Sequence, residues 1–287
     1  MDPRPKPSGV ILPLATPLLP DGSIDRVTLS TLVEFELAAG IDAIFVNGSM
    51  GGFAFHTPNR QTTLIAAVVE LVNQRVPVYA GVSDTSVTRV LANIDRLAGL
   101  PLRAVVALPP YFFRYSTADL EAFFLAIAAH SPYPLLLYDN PKQVANSLTV
   151  DCIATLAQHP NIHGIKHSGD DDSFWRSLLE RQLPRHRFSL ICGAELKMAH
   201  SLEAGFDGIT GGFHNVVPHL AVSLMSAARQ SDWPRAYSIQ NQINSLYPSF
   251  VLHGGFRGLN EAMAQLRIGG TYTPEFLPIS KSSEVIP

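Results

Sequence analysis

The chain repeats one pattern eight times: a short, unbroken apolar run followed by a longer amphipathic stretch. The apolar runs fall at 10–15, 43–46, 78–82, 104–108, 135–138, 163–166, 189–193 and 208–211. The helical stretches fall at 26–39, 61–72, 86–97, 117–129, 150–158, 173–181, 195–203 and 219–229. Apolar runs that are continuous rather than alternating predict strands covered on both faces, as in a parallel sheet. Eight such strand–helix units close into a (β/α)8 TIM barrel. The competing open, doubly wound sheet carries a Gly-rich phosphate turn after its first strand. Here that position is Thr16-Pro17-Leu18-Leu19-Pro20, which is no such turn. After Arg229 the strands stop. Helices are predicted over 233–246 and 259–266, and 269–287 has little periodicity and reads as loosely ordered. The predicted organisation is a barrel over 1–230 with a C-terminal helical extension, 231–287, packed on its side or mouth.

Composition removes several function classes. A content of 46% hydrophobic and 16% charged residues in 287 supplies a large core. A net charge of −3 without basic runs argues against nucleic acid or an anionic membrane as the main partner. No apolar run reaches the ~20 residues of a membrane span. The N-terminus, Met1 to Pro7, has three prolines and no apolar core, so it does not read as a signal peptide. Cys152 and Cys192 lie in apolar stretches without metal-ligand or CxxC spacing. They read as buried free thiols, which suits a reducing cytoplasm.

A barrel builds its site from the C-terminal ends of its strands. In order, those ends hold Thr16-Pro17, Gly48-Ser49-Met50-Gly51-Gly52, Pro109-Pro110-Tyr111-Phe112, Tyr138-Asp139-Asn140-Pro141, Lys166-His167-Ser168, Gly193-Ala194-Glu195 and 208–212. The lysine stands out, because burying an ammonium is costly and a desolvated lysine is primed as an amine nucleophile toward a ketone. A lysine amine, a phenol one strand earlier and a Gly-rich loop are the parts that imine chemistry on a 2-oxo acid requires. The amine forms the carbinolamine, the phenol moves protons, and backbone N–H groups of the loop hold the carboxylate as a nest.

These motifs resemble the dihydrodipicolinate synthase / N-acetylneuraminate lyase family of class I, pyruvate-dependent lyases and aldolases. Gly164-Ile165-Lys166 matches the Schiff-base lysine motif, and Tyr138-Asp139-Asn140-Pro141 matches the tyrosine motif. Gly48-Ser49-Met50-Gly51-Gly52 matches the carboxylate-binding loop, and Thr16-Pro17 the first strand end. The order and spacing agree along essentially the whole chain. The resemblance implies that Lys166 forms the imine with pyruvate or a longer 2-oxo acid. It implies that Tyr138 shuttles protons and that Ser49 bonds the carboxylate and relays protons to Tyr138. It places the Met50 backbone N–H, with Gly48 and Thr16, at the carboxylate, and Ile209 beside the bound substrate with its backbone carbonyl near the lysine. It also implies no cofactor beyond the covalent imine, no metal, and a homodimer or homotetramer.

Four positions depart from the family pattern. Met50 replaces a second hydroxyl, Gly52 a glutamate, Phe112 a tyrosine given by the neighbouring subunit, and Gln143 the arginine that synthases use for their second substrate. The reading is therefore a Schiff-base lyase on a 2-oxo acid. Its reaction is pyruvate-type aldol cleavage or condensation, or dehydration of a 2-keto-3-deoxy sugar acid. The alternatives are synthase-like condensation and a catalytically weakened relative that binds 2-oxo acids.

Other polar residues read as structural. Asp170-Asp171-Asp172 suits a helix N-cap with acids favoured by the dipole. Alternation turns His167 away from the barrel axis, opposite to Lys166. His214 and His253 lack ligand spacing. Tyr111-Phe112-Phe113 reads as a subunit contact or a pocket wall.

Overall fold

The computed structural model describes residues 6–251 and 256–272. Met1 to Pro5, His253 and most of the C-terminal stretch read as loosely ordered lie outside the described residues. Eight parallel strands form a closed barrel in chain order. They are β1 (Gly9–Pro13), β2 (Ala43–Val46), β3 (Val78–Gly81), β4 (Ala104–Ala107), β5 (Leu135–Asp139), β6 (Ile162–His167), β7 (Ser189–Cys192) and β8 (Gly208–Ile209). The outer ring is α1 (Arg26–Ala38), α2 (Pro58–Val72), α3 (Val87–Asp95), α4 (Thr117–His130), α5 (Val150–Leu156), α6 (Asp172–Leu179), α7 (Met198–Glu203) and α8 (Pro218–Arg229). Two further helices follow, α9 (Trp233–Val251) and α10 (Phe256–Gln265).

Local chemistry explains where the helices begin. Asp25, Thr57, Ser86, Thr149 and Asp171 each accept a backbone N–H of the first turn, and Ser116 and Asp119 form a reciprocal capping box. Asp171 thus takes the capping role that the acidic run suggested. Helix α2 starts three residues earlier than its periodicity indicates, because Pro58 suits the first helical position behind the Thr57 cap. The apolar run after β7 is interrupted by a tight turn, Glu195–Lys197, before α7 begins.

Strand alternation divides the core into two layers. Ile11, Ala43, Phe45, Tyr79, Val106, Leu136, Tyr138 and Ile191 fill the barrel interior. Val10, Leu12, Ile44, Val105, Leu137, Ile165, Cys192 and Ile209 face outward against the helices. Both cysteines are buried and free. Burial pushes the Cys152 thiol up to about 12 and the Cys192 thiol to about 11, which suits packing rather than nucleophilic duty.

One irregularity positions the site. The β5–β6 ladder starts with Leu135 opposite Ile162, then shifts by one residue so that Leu136 lies opposite Gly164. An extra residue in one strand re-aims everything beyond it. The shift puts Tyr138 opposite Lys166, and Asp139 opposite His167. Helix α9 packs against α7 and α8 and runs on to the barrel mouth, passing Pro248 without ending. Among the described residues, no helix is long and apolar enough to cross a membrane.

Candidate active site

A cavity of about 540 Å³ opens at the C-terminal ends of the strands. Its wall includes Ser49 and Met50 after β2, Tyr138 and Asn140 at β5, Lys166 and Ser168 at β6, Glu195 after β7 and Thr210 after β8. Helix α9 adds Tyr247 and Phe250, so the C-terminal extension completes the pocket.

Lys166 is 9% exposed, and its Nζ lies 4.0 Å from the Tyr138 ring centroid and 5.3 Å from that of Phe45. Lys142 and Lys197 also line the cavity, but each is ion-paired. Lys142 meets Asp170 at 2.7 Å, and Lys197 meets Asp172 at 2.9 Å. Lys166 has no carboxylate partner among the described residues. Neither Asp139 nor Asp170 is spent on it: the first bonds His167 and the second Lys142.

The Tyr138 hydroxyl is held from several sides. Ser49 Oγ lies 3.2 Å away, and Asn140 Nδ2 donates at 3.1 Å. Burial pulls the phenol's pKa upward. The Lys166 charge and hydrogen bonds from Ser49, Lys166 and Ser168 outweigh burial, leaving the phenol below its ordinary value. A phenol so placed gives up its proton more readily than a free tyrosine, and its phenolate is more accessible near neutrality.

The carboxylate loop is shaped by β2's exit. Asn47 turns left-handed (φ 59) and ties its amide to the Gly81 carbonyl at 2.8 Å. Thr16 Oγ1 donates to the Gly51 carbonyl at 2.9 Å, with His56 Nε2 2.9 Å from the same oxygen. Gly52 adopts φ 69, which a glutamate side chain there would strain.

The structure brings Lys166, Tyr138, Ser49 and Met50 around one space. Thr16 and Gly48 sit behind them and brace the loop rather than line the cavity. Ile209 ends β8, where only its backbone is expected near the lysine. It pairs with Cys192 and Val10, both outward-facing, so its side chain enters the helix layer. Thr210, one residue later, lines the cavity, and its buried Oγ1 has no hydrogen-bond partner among the described residues.

Of the departing positions, Met50 lines the main cavity, and Gln143 lines both that cavity and a side pocket of about 240 Å³. Tyr111 forms that pocket's wall, edge-on to Phe53 at 5.9 Å. Phe112 and Phe113 are 75% and 66% exposed. His167 points outward, bonded to Asp139 Oδ2 at 2.9 Å and stacked on Phe174. His214 is buried with neither ring nitrogen bonded, and burial drives its pKa down to about 3.

Sequence reasoning left Glu195, Thr210 and Tyr247 without roles. Glu195 had a usable signal, an acid two residues past a strand-end glycine. Tyr247 had none, because only α9's docking carries it to the mouth.

The profile of the dihydrodipicolinate synthetase family matches residues 6–284. The 4-hydroxy-tetrahydrodipicolinate synthase of Stenotrophomonas maltophilia is 34% identical over 212 residues, 74% of this chain and 70% of that protein. A protein of Escherichia coli named a probable 2-dehydro-3-deoxy-D-pentonate aldolase is 27% identical over 254 residues, 88% of this chain and 84% of its own length. A prophage protein of Escherichia coli from the dihydrodipicolinic acid synthase family, solved with pyruvate, superposes with a TM-score of 0.88. It is 25% identical, and the match covers 95% of this chain and 92% of that one.

Proposed function

The chain belongs to the dihydrodipicolinate synthetase family and is a lyase of the class I aldolase type, and from that premise we propose that Lys166 forms a Schiff base with a 2-oxo acid. The observation that carries the proposal is the Tyr138–Lys166 register. It leaves an unpaired lysine amine 4.0 Å from the ring of a phenol whose oxygen Ser49 and Asn140 already orient.

The Lys166 amine attacks the C2 carbonyl. Tyr138 supplies the proton that turns the carbinolamine hydroxyl into water, and an iminium results. In aldol cleavage the C3–C4 bond breaks, its electron pair forms the C2–C3 enamine, and C4 leaves as an aldehyde. Protonation at C3 and hydrolysis then release pyruvate. In dehydration C3 loses a proton, and the C4–O bond breaks instead. Ser49 and the Met50 backbone N–H bind the substrate carboxylate, braced from behind by Thr16 and Gly51. The reaction needs no metal or organic cofactor, since the imine itself is the electron sink.

Two features favour a hydroxylated 2-oxo acid over the synthase substrate pair. Gln143 offers neutral amide chemistry where a synthase uses an arginine. Phe112 is exposed and carries no hydroxyl, while Asn140 holds the Tyr138 oxygen from within the same chain. The Asn140 contact also argues for an active enzyme over a weakened relative.

Borohydride reduction in the presence of pyruvate, followed by intact-mass measurement, tests the proposal. A folded wild type that gains one reduced pyruvate supports it, and a folded wild type with no adduct removes it. Pyruvate release from 2-keto-3-deoxy acids, set against formation of dehydrated products, then separates the two reactions.

A further inference from the structure

Lys166 on β6 is flanked on both sides. Tyr138 stands on β5, and Glu195 follows β7, the opposite neighbour. The Glu195 carboxyl belongs to the same cavity wall as the lysine and phenol, yet the steps above do not use it.

Its position is built rather than incidental. The Phe213 backbone N–H donates to Oε1 at 2.7 Å, and the Tyr247 hydroxyl on α9 partners the carboxyl. Gln240 on α9 donates to the Glu195 carbonyl at 2.9 Å and accepts the Ala199 N–H at 2.9 Å, clamping the turn at both ends. The carboxyl reaches its place by crossing bare backbone. A Cβ on Gly211 would stand 2.6 Å from both Glu195 Cγ and Oε1. Gly212 does the same for Met50, whose Sδ would meet a Cβ there at 2.4 Å. The double glycine after β8 therefore seats one acid and one apolar group over the pocket.

We propose that Glu195, backed by Tyr247, is a further catalytic residue, exchanging a proton with the substrate hydroxyl on C4. The proposal rests on the Schiff-base reading of Lys166. In aldol cleavage the carboxylate takes the C4 hydroxyl proton while the C3–C4 electron pair moves into the enamine, leaving an aldehyde at C4. In dehydration the enamine pair forms the C3–C4 double bond as the C4–O bond breaks. Its electron pair stays on oxygen, which takes the proton of the Glu195 carboxylic acid and departs as water. Tyr138 is thereby kept for the protons of the carbinolamine and of C3.

The charge environment suits such duty. Burial raises the Glu195 carboxyl to about 7, against the opposing pull of the Phe213 N–H, the Tyr247 hydroxyl and the Lys166 charge. Both protonation forms are then present near neutrality, the condition under which one group serves as acid and as base.

The test compares wild type with Glu195→Gln in two reactions. Deuterium exchange at C3 of pyruvate needs the imine and the phenol but offers no C4 hydroxyl. Conversion of 2-dehydro-3-deoxy-D-pentonate, 2-dehydro-3-deoxy-D-gluconate and their C4 epimers needs all three groups. The variant should lose about 10²-fold more in conversion than in exchange, and the wild-type limb of the pH–rate profile near 7 should vanish. Gly211→Ala, which displaces the carboxyl without removing it, should shift the same ratio in the same direction. Equal losses in both reactions, or conversion unchanged in Glu195→Gln, would overturn the assignment. So would a wild type that traps pyruvate yet converts none of the four acids. Failure of wild type to trap pyruvate would instead mark failure of the underlying Schiff-base reading.

Discussion

Strands β5 and β6 carry two polar pairs one residue apart, and they differ in every respect that matters. Tyr138 and Lys166 point into the barrel, whereas Asp139 and His167 point out toward the helices. The outward carboxylate is well satisfied, although the buried His167 Nε2 has no hydrogen-bond partner among the described residues. Asp139 accepts from His167 Nδ1 at 2.9 Å, from Ser147 Oγ at 3.1 Å and from the Leu148 N–H at 3.1 Å. The inward pair keeps an ammonium without a carboxylate, beside an open cavity. Buried polar groups usually find their partners inside the protein. The inward lysine faces open space where a substrate has room to bind. The facing of each pair, into the cavity or against the helices, separates the two.

The comparison can be broken most forcefully at Lys166. Lys166→Ala should fold with an unchanged Tm and lose about 10⁴-fold or more in turnover, because the covalent route disappears. Tyr138→Phe comes next, with a loss of about 10³-fold in turnover. Since the wild-type phenol lies below its ordinary value of 10.0, the alkaline limb of the wild-type rate profile should fall below pH 10 and be absent from the variant. The outward pair should respond in the opposite way. His167→Ala leaves the Asp139 charge buried with fewer donors and should lower stability by about 3 kcal/mol in urea melts. Its pyruvate trapping per folded molecule should stay at the wild-type level.

The smallest effect sharpens the rule by an exception. Glu36 on α1 is fully buried, and neither carboxylate oxygen has a partner among the described residues, yet it lies off the cavity. Burial raises its pKa well above 4.5. The native state therefore holds this proton more tightly than the unfolded chain, and the stability so gained is lost as pH rises through the folded value. Glu36→Gln should raise the Tm at pH 8 by about 3 °C, with a smaller gain at pH 5 and no change in turnover.

Much of this was legible before any coordinates. Eight unbroken apolar runs required a two-faced parallel sheet, and the strand-end residues Lys166, Tyr138, Ser49 and Met50 do converge on one space. What escaped has physical causes. The one-residue shift near His163-Gly164 leaves an ordinary apolar run, so periodicity does not show it. The outward facing of the Ile209 side chain is set by pairing with Cys192 in a strand only two residues long, too short to show alternation. The helix expected over 233–246 runs on through Pro248 to Val251 and so delivers Tyr247 and Phe250 to the mouth. Glu195 and Tyr247 lie far apart in the chain, and only the packing of α9 joins them.

The central claim is that an unpaired lysine, and no other amine in this cavity, becomes the imine. Peptide-resolved mass spectrometry after borohydride trapping with pyruvate tests it directly, because Lys142 and Lys197 share the wall but are held by Asp170 and Asp172. The account predicts the reduced adduct on the peptide containing Lys166 and its absence from Lys166→Ala. An adduct on Lys142 or Lys197, or one that survives Lys166→Ala, would contradict it.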